Sequence, residues 1–236
     1  MNAIVLKSTD FGEADKLLQL YTAEEGRIGA FIRGVRKDKA KLKFAGQPFC
    51  LGEYIISRRG ANGVVTNCTL TDSFFDLTMD MSRYYAACTV SETFLYCTEE
   101  GFSDPRLFVL LLKAFKELCY SGADTETVLC KFFMDFLRLS GYKLSFDRCA
   151  VCGVEPYGKI IADFRHGGVM CASCASGGHA LSVQIYNNLR FINNTDFEQL
   201  STLRLTGESL KETLRLLYAA QKDNLGVNLK TITNLL

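Results

Sequence analysis

An α+β multidomain fold is what this sequence predicts, in four parts: a small N-terminal β-barrel at 1–80, a central α-helical domain at 81–145, an inserted four-cysteine module at 146–180, and C-terminal helices at 181–236 that rejoin the helical domain. Three observations predict it. Short β-type segments punctuated by glycine fill the first part. After Met81 the apolar period lengthens from two to about 3.6 residues. Between Phe146 and Gly178 that period vanishes, and two closely spaced cysteine pairs appear instead.

The N-terminal segments read as five strands, at 3–8, 16–21, 29–33, 48–57 and 64–70, with glycines at 12, 26, 46, 60 and 63 marking the turns between them. Five short strands in so little chain suit an OB-type barrel. The helical part opens with a segment over 82–99 that Gly101 closes. The next begins at Asp104-Pro105, an Asp N-cap followed by proline at the first helical position, where a missing N–H costs nothing. It carries Leu107, Leu111, Leu112, Phe115 and Leu118 and ends before Gly122; a third helix covers 125–139. The stretch from 146 to 178 reads as loop-built. Beyond it, 182–191, 197–203 and 208–225 read as helices, the last with Leu210, Leu214 and Leu217 on one stripe that must be buried against another element.

Cys149-Ala-Val-Cys152 and Cys171-Ala-Ser-Cys174 stand eighteen residues apart, a zinc-ribbon spacing. Each CxxC turn lets two thiolates converge on one ion, and two such turns complete a tetrahedron with no position left for water, so one structural Zn2+ is the expected cofactor. Gly153, Gly167 and Gly168 supply permissive backbone around the turns. A disulfide-exchange site fits less well, because neither pair starts a helix after a strand. His166 reads as a loop residue, since four thiolates already satisfy the ion. With so few apolar residues, the segment is expected to be disordered without metal. Cys50, Cys68, Cys88, Cys97, Cys119 and Cys130 show no paired spacing and read as small buried hydrophobes.

The chain carries a net charge of only +1, yet between Arg27 and Gly60 nine basic residues face two acidic ones, a local +7 that leaves the remainder at −6. Arg33, Arg36, Lys37, Lys39, Lys41 and Lys43 lie between the third and fourth strands, where a barrel projects a flexible loop, and Arg58 and Arg59 follow on the fourth. Such a cluster can track phosphates in a sequence-independent, salt-sensitive way. Phe31 shares a strand face with Arg33, and Phe44 lies inside the basic run, so bases could stack where phosphates are held. Phe31, Phe49 and Tyr54 read more readily as barrel core.

No catalytic residues are assigned. The two histidines, His166 and His179, form no HExxH, and neither a GxxxxGK[ST] phosphate loop nor a magnesium-holding carboxylate cluster is present, which points to a protein that is not an enzyme and takes no small-molecule substrate. The longest unbroken apolar run, Leu107 to Leu112, is far short of a membrane span. The N-terminus lacks signal-peptide features, so a cytoplasmic chain with reduced thiols is expected.

These residues carry a resemblance to the RecO family of bacterial recombination mediators. It lies in Val5-Leu6-Lys7, Gly12-Glu-Ala-Asp15-Lys-Leu17, and Arg33-Gly-Val-Arg36-Lys37 followed by Gln47-Pro48-Phe49. It continues in Cys149-Ala-Val-Cys152-Gly153 and in Phe164-Arg-His-Gly167-Gly168-Val-Met-Cys171-Ala-Ser-Cys174, so it spans nearly the whole chain. The resemblance implies an OB-fold, a helical domain and a zinc module. It further implies binding to single- and double-stranded DNA, annealing of complementary strands, and action with RecR on DNA coated by single-stranded-DNA-binding protein so that RecA can load. The basic segment departs from the family in being lysine-rich, interrupted by Asp38, which lowers the number of bidentate phosphate contacts. An RNA-binding or transcription-associated zinc-ribbon protein with the same barrel physics is the competing reading.

Overall fold

A computed structural model describes residues 1–58, 63–205 and 207–236. The chain forms two compact units, Met1–Cys119 and Tyr120–Leu236.

In the first unit, β1 (Asn2–Phe11), β2 (Asp15–Thr22), β3 (Gly26–Ile32), β4 (Leu51–Arg58) and β5 (Gly63–Asp72) close into a barrel in the order β1-β2-β3-β5-β4. The five strands and the OB-type barrel of the sequence reading are both present. Neighbours are antiparallel except β3 and β5, which run parallel with Ala30 opposite Gly63, and the barrel closes where Ala3 of β1 faces Gly52 of β4. Inward positions on alternating residues fill the interior: Ala3 and Val5, Leu18 and Leu20, Ala30 and Ile32, Tyr54, Val65 and Cys68. Gly52 is required by this packing. A Cβ there would meet the Thr69 carbonyl oxygen at 2.7 Å and the Cys68 sulfur at 2.9 Å. Strand β1 is longer than its sequence pattern suggests. A register shift between Val5 and Lys7 interrupts the alternation, and pairing resumes as far as Phe11 opposite Asp15.

Helices α1 (Met81–Cys97) and α2 (Pro105–Tyr120) follow. Asp80 caps α1 by accepting the Arg83 N–H at 2.8 Å, and Asp104 accepts the Arg106 N–H at 2.9 Å ahead of Pro105, so the start signal legible in the sequence is realised. Helix α1 lies against β1, with Tyr21 of β2 meeting Phe94 edge-on at 4.8 Å. The two non-glycine residues with positive φ among those described, Phe49 (68°) and Phe74 (45°), both place their rings against Phe115 of α2, at 5.4 and 5.6 Å. Left-handed backbone at a bulky residue costs roughly 1–3 kcal/mol and persists only where packing over-determines it. Phe115, fully buried, supplies that packing. Phe115→Ala is therefore expected to destabilise this unit by about 3–5 kcal/mol, read as a drop in urea midpoint at unchanged m-value.

In the second unit, α3 (Thr125–Leu139) buries Val128, Leu129, Phe132, Phe133, Phe136 and Leu137 and packs on α4 (Val183–Asn193) and α5 (Glu208–Leu225). The buried ammonium of Lys131 is held by Asp135 at 3.4 Å and by the Asn193 carbonyl at 3.3 Å, so its charge is matched where water is excluded. The expected helix at 197–203 is a 3-10 segment, Phe197–Thr202.

The region read as loop-built carries a three-stranded antiparallel sheet, β6 (Ile160–Asp163), β7 (Gly168–Cys171) and β8 (His179–Leu181), in the order β7-β6-β8. Phe146, Ile160, Ala162, Phe164, Val169 and Met170 are buried with it, so this segment has an apolar core of its own. Strands of three or four residues are too short to display a period of two.

Candidate metal centre and nucleic-acid surface

The four cysteines are brought to one point by two tight turns and the end of a strand. In the first turn the Cys149 N–H bonds the Val154 carbonyl at 2.8 Å, and Gly153, at φ 73°, donates back to the Cys149 carbonyl at 2.9 Å. The second turn begins at Cys171, the last residue of β7, and closes as Cys174 and Ala175 donate to the Cys171 carbonyl at 3.0 and 3.2 Å. Ala150 donates to Val169 at 2.9 Å, tying the two together. Gly168 is needed for close approach as well as for backbone freedom: its φ is 122°, and a Cβ there would lie 2.1 Å from the Ser145 carbonyl oxygen, which the Val169 N–H engages at 2.9 Å.

All four sulfurs lie within 4.8 Å of one another, with Cys152 to Cys171 at 3.8 Å and Cys171 to Cys149 at 3.7 Å. Four thiolates about 2.3 Å from a central ion stand roughly 3.8 Å apart, so the separations fit a tetrahedral site. The donor set is all sulfur, which suits a soft or borderline metal rather than calcium or magnesium. Among the described residues no other group of three or more His, Cys, Asp and Glu side chains gathers this way.

Backbone N–H groups of Cys152, Cys171 and Val151 directed at its sulfur bring the Cys149 thiol down to about 6, favouring its ionised form. The Cys171 thiol is also lowered, first by the Ser173 hydroxyl. Cys174 is pushed up to about 12 because its proton is shared with Cys171 and Cys152. Crowded thiols of this kind resist full ionisation until a cation sits among them. His166 stands apart, its Nδ1 2.8 Å from Asp163 Oδ2. Of the other cysteines, Cys50, Cys68, Cys119 and Cys130 are buried and Cys88 and Cys97 half-buried, none of them in a disulfide.

The basic segment between β3 and β4 is a chain of turns fastened to the barrel, where the sequence reading expects a flexible loop. Val35 and Ala45 are buried in the barrel core, Leu42 and Phe44 pack against it, and the Tyr54 hydroxyl donates to the Ala45 carbonyl at 2.9 Å. Successive turn bonds run from Lys37 to Gly34, Ala40 to Lys37 and Ala45 to Leu42. The apolar residues interleaved with the lysines thus point inward, while Arg33, Arg36, Lys37, Lys39, Lys41 and Lys43 are all exposed. Arg36 is the most constrained. Its N–H bonds the Ala14 carbonyl at 2.9 Å, and its guanidinium reaches Asp10 at 3.2 Å and the Gly12 carbonyl at 3.2 Å, holding it over the β1–β2 turn.

Arg58 lies elsewhere. It pairs with Glu25, which immediately precedes β3, whereas Arg33 immediately follows it, so the seven-residue strand separates them. Arg59 falls outside the described residues. Phe44, Phe49 and Tyr54 are committed to packing, as expected for the last two. Phe31 is half-buried, and its ring meets that of exposed Phe11 at 4.8 Å. Phe11 went unread in the sequence because the irregularity in β1 hides that the strand continues to it.

Two family models match the chain in order. Residues 1–74 match the Recombination protein O N-terminal model and residues 79–232 its C-terminal model. A DNA repair protein RecO from Clostridium novyi is 29% identical over 216 residues, covering 91% of this chain and 84% of that protein. The protein of the same name from Dehalococcoides mccartyi is 32% identical over 219 residues, 89% and 84% of the two chains. That from Bacillus pumilus is 28% identical over 231 residues, 97% and 90%. A closed five-stranded barrel, helices with a four-cysteine centre among them, and matches that span both parts together place the chain in the RecO family of DNA repair proteins.

Proposed function

We propose that this protein binds single- and double-stranded DNA through Arg33, Arg36, Lys37, Lys39, Lys41 and Lys43, anneals complementary strands without catalysis of its own, and acts with RecR to help RecA load on DNA coated by single-stranded-DNA-binding protein. Arg58, placed apart from these, and Arg59 are proposed as further DNA contacts. The observation that carries this reading is the basic segment: six exposed cations on a turn scaffold that buried Val35 and Ala45 hold against an OB-type barrel. Fixing the cations beforehand lowers the entropy lost when phosphates are bound. Annealing then follows from charge: a surface that neutralises two strands at once lowers their mutual repulsion and leaves base pairing to complete the reaction. Such a role needs no nucleotide hydrolysis and is performed in the cytoplasm, at the nucleoid. The ion held by Cys149, Cys152, Cys171 and Cys174 is one Zn2+, which folds its module and takes no part in chemistry.

The test is annealing of complementary oligonucleotides by the purified metal-loaded protein, against a variant with Arg36, Lys37, Lys39, Lys41 and Lys43 all changed to alanine. Wild type is expected to anneal without ATP, and the folded variant to fail. Absence of DNA binding by wild type at low salt, with RNA bound instead, overturns the reading.

A further inference from the structure

The geometry points to Phe11 and Phe31 as a base-stacking platform that gives this barrel a preference for unpaired DNA; the inference rests on the DNA-binding reading above and adds to it the part of the ligand that is recognised. The two rings lie 4.8 Å apart, tilted by 56°, and meet across β2, since Phe11 is opposite Asp15 and Phe31 opposite Leu17. Half-buried Leu17 and Val64, the two ladder partners of Phe31, flank it on β2 and β5. Phe11 is 53% exposed, at the last position of its strand.

Charge surrounds the platform on the side where a backbone would run. Arg33 lies two residues after Phe31, just past the end of β3, and Arg36 is held over the adjoining β1–β2 turn by the Gly12 carbonyl and Asp10. Nearby carboxylates are mostly committed: Asp10 pairs with Arg36 at 3.2 Å and Asp15 accepts the Gly34 N–H at 2.7 Å, leaving Glu13 exposed on the turn. An aromatic surface flanked by fixed cations suits a strand whose bases are free to turn towards protein while its phosphates stay on the cations. A duplex hides those π-faces and gains only the phosphate contacts, so the platform discriminates by strandedness and not by sequence.

The chain has no tryptophan, so Phe11→Trp places a single indole at the proposed site. Its emission is expected to be quenched saturably by a thymidine oligonucleotide and left unchanged by an abasic sugar-phosphate oligomer of equal length. Phe11→Ala and Phe31→Ala should each weaken the thymidine oligonucleotide by about 5- to 150-fold, the range for losing one stacked base, and weaken a duplex of equal length by a smaller factor, while Phe11→Tyr retains binding. If a labelled strand binds but the indole is not quenched and both alanine variants bind like wild type, the pair serves only the β1–β2–β3 sheet and the inference is overturned while the DNA-binding reading stands. If no strand binds at low salt, both fall.

Discussion

Replacing Cys149 by serine, or removing the metal with a chelator under reducing conditions, is expected to release one equivalent of zinc per chain and abolish hydrogen-exchange protection at 149–154 and 171–175. Structural zinc supplies on the order of 10 kcal/mol to a module of this kind. The effect is expected to concentrate at the two turns because, beyond their backbone hydrogen bonds and buried Cys149, they carry little apolar burial: Cys152 is exposed, Cys171 and Cys174 are half-buried, and neighbouring Val151 and Val154 are 62% and 56% exposed. The sheet β6–β8 behaves differently. Its buried Ile160, Ala162, Val169 and Met170 give it apolar contacts that do not involve sulfur, so protection there falls second and less completely. The sequence reading, in which the whole segment is disordered without metal, is modified accordingly. Helices α3 and α5 pack on each other through Phe133 and Tyr218, 6.3 Å apart, and their far-UV signal should persist. Thiols that react at once in freshly purified protein, with no metal bound, would sink the zinc assignment.

The second large effect is on DNA affinity. Changing Arg36, Lys37, Lys39, Lys41 and Lys43 to alanine removes five exposed cations without touching the buried residues between them. Each phosphate contact on single-stranded DNA adds about 0.7 to the slope of log affinity against log salt, so the slope should fall by roughly 3 if most of the five engage. At 0.1 M salt the same relation gives a loss on the order of 10²- to 10³-fold. Titration at several salt concentrations separates this from misfolding, because a misfolded variant loses affinity at every salt, whereas loss of ionic contacts narrows at high salt. Arg36 should be the costliest single change in the set, since its guanidinium also joins Asp10 to the Gly12 carbonyl. An unchanged slope would show that these cations are merely solvated.

Anchoring and exposed charge are interleaved in this segment. Residues 33–45 alternate between cations that face water and the apolar Val35, Leu42 and Ala45 that anchor them. Substituting Val35 or Ala45 with a charged residue would test the scaffold and not the contacts, so such variants are poor probes of DNA binding.

Local chemistry made much of this protein legible before any coordinates. Five short strands separated by glycine, an Asp-Pro helix start, α3 at Thr125–Leu139 and α5 at Glu208–Leu225, and two CxxC pairs are signals complete within a few residues. The four-cysteine cluster was readable for the same reason: a CxxC turn already specifies how two sulfurs converge, and the fold had only to bring two such turns together. What remained hidden depends on neighbours distant in the chain. The three strands β6, β7 and β8 are too short to show a period. Phe49 and Phe74 adopt left-handed backbone because Phe115 packs against both. The irregularity near Val5 conceals that β1 runs on to Phe11, and only the register across β2 sets Phe11 beside Phe31. Likewise, charge counting groups Arg58 with the basic run, but the barrel's strand order sends it to Glu25. Sequence by itself determined the elements and the pairing of the four cysteines, because those follow from spacing and capping; tertiary structure decided which cations and rings share a surface, because adjacency across a barrel is set by register, which no local pattern records.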